Sequence, residues 1–150
     1  MKIVKKILIV LLIALVIIQF YRPEKNNPEY REVTAFITDT KPSAEVTKIL
    51  ENKCYDCHSN KTEYPWYAEI APVSYWLDDH IQDGIKHFNV SAWDTYSVKK
   101  KDHKLDELIE EVEEGKMPLD SYTWLHGTIT NQEKEALIKW ATKARENYKL

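Results

Sequence analysis

Residues 7–20 read Ile-Leu-Ile-Val-Leu-Leu-Ile-Ala-Leu-Val-Ile-Ile-Gln-Phe, an apolar run broken only by Gln19. A helix built from this run has no polar face to turn to water. Such a helix fits poorly inside the core of a small domain, and the chain has only 150 residues. Lys2, Lys5 and Lys6 precede the run, which gives the basic-then-apolar order of an export signal. No Ala-x-Ala cleavage site follows, since the chain continues Gln19-Phe20-Tyr21-Arg22-Pro23, and no Cys is placed to accept a lipid. Residues 1–22 are therefore expected to be an uncleaved signal anchor. The run is short against the about 20 residues of a spanning helix. Ile3 and Val4 lengthen it, and the lysines can snorkel to the headgroups. Positive charge on the N-terminal side puts the rest of the chain outside. The expected location is the inner membrane, single-pass, with the domain on the periplasmic side.

The exported part is expected to be all-α. Only three Gly occur, and Asp83-Gly84 is the one hairpin-type dipeptide, so alternating strands joined by tight turns are hard to find. Residues 23–42 carry Pro23, Pro28 and Pro42 and a weak apolar patch at Val33, Phe36 and Ile37. They read as a tether with room for one short ordered piece. The domain is expected over residues 43–150. Ser43 is an acceptable N-cap for a first helix, whose stripe of Val46, Ile49 and Leu50 leads into Cys54. A second helix is expected from about Val73 to Asp83. A third runs from about Lys99 to Glu114, with Leu105, Leu108, Ile109 and Val112 at i, i+3, i+4 and i+7. Thr130-Asn131-Gln132-Glu133 reads as a capping box for the last helix, which carries Leu137, Trp140, Ala141, Ala144 and Tyr148 on one face.

Charge removes one class of partner. The net charge is −3, and without Lys2, Lys5 and Lys6 the chain carries 18 basic against 24 acidic side chains. A nucleic-acid face needs a basic excess, so no nucleic-acid partner is expected.

The two cysteines of the chain fall in Cys54-Tyr55-Asp56-Cys57-His58. This spacing suits covalent haem attachment. Each thiol adds across one vinyl group, and the adjacent imidazole comes under the iron as an axial ligand. Zinc normally takes four ligands, often two Cys pairs, and a second pair is missing, although His80 and His87 are available. A thioredoxin-like dithiol needs a strand-then-helix setting, whereas a helix precedes Cys54 here. A disulfide within the motif closes too small a loop to stabilise much. Haem c, one per chain, is the expected cofactor, with a zinc or dithiol domain as the alternative. The export signal agrees, because haem is attached outside the bacterial cytoplasmic membrane.

For the other side of the iron the sequence offers Met117, the one methionine besides the initiator, in Gly115-Lys116-Met117-Pro118-Leu119. Thioether ligation raises the potential, and Pro118 stiffens the loop. His126, His80 and His87 are alternatives. His58 needs an acceptor for its other ring nitrogen, and the backbone near Tyr64-Pro65-Trp66 or Ala71-Pro72 is a candidate source. Trp66, Tyr67, Trp93, Tyr122 and Trp124 are candidates to cover the ring or hold its propionates. The expected site set is thus Cys54, Cys57, His58 and Met117, with His58 and Met117 on the metal.

Over about residues 43–148 the chain resembles a family of bacterial haem-binding domains common in Bacteroidetes. The carriers are Cys54-x-x-Cys57-His58-Ser59, Tyr64-Pro65-Trp66-Tyr67, Ile70-Ala71-Pro72-Val73, Asn89-Val90-Ser91-Ala92-Trp93, Gly115-Lys116-Met117-Pro118 and Tyr122 to His126. The resemblance implies c-type haem on a cytochrome c-like fold with Met117 as distal ligand, and it does not imply a known enzymatic activity. A membrane-anchored carrier of single electrons with a periplasmic or membrane redox partner is the leading expectation. A haem-based sensor or small haem enzyme with an open sixth site is the second.

Overall fold

A computed structural model of the chain describes residues 2–148. Helices and turns account for the ordered structure, and no strand occurs among the described residues. The helices are α1 (Lys2–Ile18), α2 (Thr34–Thr40), α3 (Ala44–Lys53), α4 (Tyr55–His58), α5 (Val73–His87), α6 (Val98–Glu113), α7 (Asp120–His126) and α8 (Asn131–Arg145). Short 3-10 turns cover Trp66–Glu69, Val90–Thr95 and Glu146–Tyr148.

Two of the expected helix starts carry their caps. The Ser43 side chain accepts from Val46 N at the start of α3. Thr130 and Glu133 form the full reciprocal capping box of α8. Gly115 follows α6 with φ 71°, a conformation that Gly adopts without the Cβ penalty. Helix α5 runs four residues beyond the expected end at Asp83 and contains Gly84 in its last turn.

The core lies where α2, α3 and α8 meet the turn at 90–95. Phe36, Leu50, Trp93, Leu105, Leu137 and Ala141 are all buried within it. Phe36 is at the centre, with edge-on ring contacts to Trp93 at 5.0 Å, Trp140 at 5.8 Å and Phe88 at 6.0 Å. Edge-to-face pairs of this kind add stabilisation beyond the area they bury. Both indoles are satisfied: Trp140 donates to Thr40 O at 2.9 Å and Trp93 to Asp39 Oδ2 at 3.2 Å. Arg145 ties α8 to α6 through Asp102 and Asp106.

Residues 23–42 are more than a tether. Phe36 has no exposed surface, so α2 is part of the core rather than a lead to it. The preceding stretch is pinned from Asn26, whose side-chain amide donates to Ser59 O at 3.1 Å. Arg31 pairs with Asp56 at 3.0 Å. The domain therefore begins before residue 43, because its central aromatic cluster needs Phe36.

Helix α1 spans 17 residues and buries none of them. No helix among the described residues is long and apolar enough to cross a membrane. Its C-terminal end is nevertheless tied to the domain. Gln19 Nε2 donates to Ala71 O and Gln19 Oε1 accepts from Ala71 N, both at 2.9 Å, and the Tyr75 hydroxyl donates to Ile18 O.

Candidate functional site

Helix α3 ends at Lys53, and Cys54 turns the chain directly into the single turn of α4. Backbone N–H groups of Cys57 and His58 both return to Cys54 O, at 3.2 and 3.0 Å. This tight turn brings Cys54, Cys57 and His58 to one wall. Ser59 closes it, with its buried hydroxyl donating to Tyr55 O at 2.7 Å. Asn60 fastens the turn to the segment at 89–93: its N–H donates to Ser91 Oγ at 2.9 Å, and Ser91 Oγ donates to Asn60 Oδ1 at 3.0 Å.

Helix α5 packs against this turn with very little clearance. A Cβ added at Gly84 would lie 2.4 Å from Cys57 O and 3.1 Å from Cys57 Cβ. Only a residue without a side chain permits the approach. Immediately beyond α5, the Phe88 carbonyl accepts a hydrogen bond from His58 Nδ1 at 2.9 Å. That bond fixes the tautomer and leaves Nε2 with a free lone pair, the arrangement found at imidazole metal ligands. The acceptor expected near residues 64–66 or 71–72 is thus Phe88 instead. A backbone carbonyl carries no residue-type signal, so sequence could not select it. Burial holds the His58 imidazole below its ordinary pKa, even though the carbonyls of Phe88 and Gly84 oppose this. The neutral ring is the form that can ligate.

A cavity of about 570 Å³ opens beside the motif, and Cys54, Cys57, His58 and Met117 all line it. This volume falls within the roughly 300–1,000 Å³ of small-molecule and cofactor sites. Leu50, Phe88, Val90, Leu108, Val112 and Leu119 give it apolar walls. Met117 reaches it from the loop after α6, where Lys116 N and Met117 N both donate to Glu111 O, at 2.9 and 3.0 Å. His80 and His87 also line the cavity, from α5. His126 does not. It stacks on Tyr122 at 4.2 Å and 8° between planes, and its Nε2 meets the Tyr67 hydroxyl at 2.8 Å.

Of the five aromatic residues expected to cover a ring, Tyr122 alone lines the cavity. Its hydroxyl donates to Asn52 O at 3.1 Å and lies 3.3 Å from Asp56 Oδ2. Trp93 is a core residue, and Trp66 and Trp124 face outward. Sequence reading missed Gly84 and Asp56. Asp56 holds Arg31 and accepts from Glu63 N at 3.1 Å, bracing the motif from behind. Its position inside the motif was visible, but its partners lie 25 residues upstream and 7 downstream.

Both cysteines are free thiols. Burial, with the nearby acid groups, pushes Cys54 up to about 12 and Cys57 up to about 11. Reactive dithiols depend on the opposite shift. Among the described residues no group of three or more His, Cys, Asp or Glu side chains is arranged to hold a metal ion. The donor set instead fits a haem: two thiols on one wall, a neutral imidazole with an oriented lone pair, a thioether on the loop and apolar surfaces between them.

No curated protein and no solved structure matches the chain. The family model for the haem-binding domain matches residues 13–143. The match takes in α2 and the stretch pinned before it, in keeping with the burial of Phe36 in the core. By that match, over most of its length, the chain belongs to the haem-binding domain family.

Proposed function

We propose that the chain is a membrane-anchored, periplasmic, monohaem c-type protein that carries single electrons. In this reading Cys54 and Cys57 would hold the haem through thioether bonds, and His58 and Met117 would ligate its iron. The observation that supports it is the convergence of those four side chains on one cavity, with His58 Nδ1 already committed to Phe88 O. Bound haem supplies an iron that cycles between ferrous and ferric states. The chain contributes a neutral imidazole, a thioether and apolar walls that exclude water, and these set the potential. The cytochrome c-like architecture enters by resemblance and by the order of helix, motif and methionine loop. The anchor rests on α1, whose apolar run follows Lys2, Lys5 and Lys6. At 1.5 Å per residue the whole helix, lysines included, is roughly 26 Å long, against a hydrocarbon core of roughly 30 Å. Bilayer thinning and snorkelling lysines absorb such a mismatch. A redox protein of the periplasm or membrane is the expected partner.

The ligand assignment is tested by the visible spectrum. Ferric wild-type protein should show the far-red sulfur-to-iron band, and Met117→Ala should lose it. An unchanged spectrum in Met117→Ala would remove Met117 from the iron and point to His80 or His87, which line the same cavity. Fast carbon monoxide binding by reduced wild-type protein, with no protein ligand displaced, would favour the sensor or enzyme reading.

A further inference from the structure

One face of the domain presents apolar side chains that the core does not use. Trp66 is 77% exposed on the 3-10 turn at 66–69, and Ile70, Val73 and Trp76 follow it outward on the next segment and on α5. Phe20 and Tyr21 are exposed at the end of α1. These groups are neighbours because α1 ends there. Ala71 is bonded on both its N–H and its C=O to the Gln19 side chain, and the Tyr75 hydroxyl reaches Ile18 O. The Tyr21 ring contacts Tyr75 at 5.7 Å. Arg22 and Lys25 join the same corner through Glu69.

We propose that this face rests on the lipid bilayer that receives α1, so that the haem domain lies against the membrane surface instead of swinging free on a linker. The inference depends on the anchor reading above. The argument is geometric. Whatever apolar medium covers the apolar run of α1, which buries no residue, meets Ile70 and Val73 at the helix exit, because Gln19 fixes that exit to Ala71. The composition suits the headgroup level, where Trp and Tyr concentrate and basic side chains meet lipid headgroups. One consequence touches the cofactor. The Trp76 ring lies against the His80 ring, centroids 4.2 Å apart and tilted by 43°, and His80 lines the haem cavity. The wall of the cavity is then one side chain from the lipid.

The test uses full-length protein with haem attached, whose own cysteines are consumed in thioether bonds. Single Cys substitutions at Val73 and, as a control on the exposed side of α8, Glu135 are labelled with a nitroxide. The proteins are reconstituted into phosphatidylcholine–phosphatidylglycerol vesicles. An unchanged haem spectrum in each variant certifies the fold. The expected result is that reconstitution raises collisions of the Val73→Cys label with oxygen and lowers those with a water-soluble nickel chelate, while the Glu135→Cys label is unaffected. If the protein floats with the vesicles but the Val73→Cys label stays open to the chelate, the docked face is wrong and the anchor stands. If the protein does not float with vesicles at all, the anchor and the docked face fall together.

Discussion

Replacing Gly84 by Ala adds one carbon at the closest approach between α5 and the cysteine turn. Two effects oppose each other. Ala is favoured over Gly in a helix interior by about 1 kcal/mol. The new Cβ, however, would lie 2.4 Å from Cys57 O, whereas a relaxed C···O contact is roughly 3.3 Å, so the segments must part by roughly 0.9 Å. The obstructing atom is a backbone carbonyl, which cannot rotate aside. The same displacement would lengthen the His58–Phe88 hydrogen bond from 2.9 Å, to roughly 3.8 Å and out of bonding range where it acts along that bond. Overpacking of this kind costs up to about 3 kcal/mol, so a net loss of about 2 kcal/mol is expected once the helix preference is subtracted. Urea unfolding of the haem-loaded protein measures it, with Gln82→Ala on the exposed side of α5 as a control for helix propensity. The haem spectrum and reduction potential of Gly84→Ala should shift as well, since the imidazole loses its orienting acceptor. A Gly84→Ala protein about 1 kcal/mol more stable than wild type, with the spectrum of wild type, would refute the close approach.

Three further outcomes probe the frame around the site. Phe36→Ala should cost about 3–5 kcal/mol, the loss typical of a buried Phe; a negligible change in unfolding would return α2 to the role of tether. Thr130→Ala should cost about 1 kcal/mol by removing the N-cap of α8, and thermal unfolding that matches wild type would contradict the capping box. Asp39 is held below its ordinary value near 3.8, chiefly by its hydrogen bond to Lys101. A depressed carboxyl pKa stabilises the fold above the unfolded value and loses that stabilisation as pH falls through the folded one. Asp39→Asn should therefore flatten the acid limb of a stability–pH curve below about pH 4, and an unaltered limb would show that Asp39 is not coupled to folding.

Helices α3, α5, α6 and α8 were legible because each is long enough to repeat an apolar spacing, and two of them announce their starts with Ser43 and Thr130. Helices α2 and α7 were not, for a common reason. Each has seven residues, too few for a period to emerge, and α2 owes its existence to where Phe36 packs. Val33, Phe36 and Ile37 form a visible apolar patch, but nothing in a single sequence says that Trp93 and Trp140 wait across the core for that ring.

The site divides in the same way. That Cys54, Cys57 and His58 share one wall was legible because the three fall within five residues. Met117 stands out in the sequence by its scarcity and its stiff loop, and it lines the same cavity. The supports of the site were not legible. Gly84 resembles the residue after a helix end in sequence and in fact lies within the last turn of α5, placed against Cys57. Phe88 acts through its carbonyl, which every residue possesses. The aromatic residues were the least readable of all. Trp66, Trp93 and Tyr122 have similar chemistry and went to the surface, the core and the cavity wall respectively.

The central claim is that one haem is bound covalently through Cys54 and Cys57 beside His58. Intact-mass spectrometry of denatured protein, exported in cells that carry haem-maturation machinery, tests it directly when paired with the pyridine haemochrome spectrum. The account predicts a mass increase of one haem per chain that survives denaturation, a haemochrome typical of saturated vinyl groups, and loss of both in Cys54→Ala/Cys57→Ala. Protein that carries the unmodified polypeptide mass, or haem that washes away on denaturation, would contradict it.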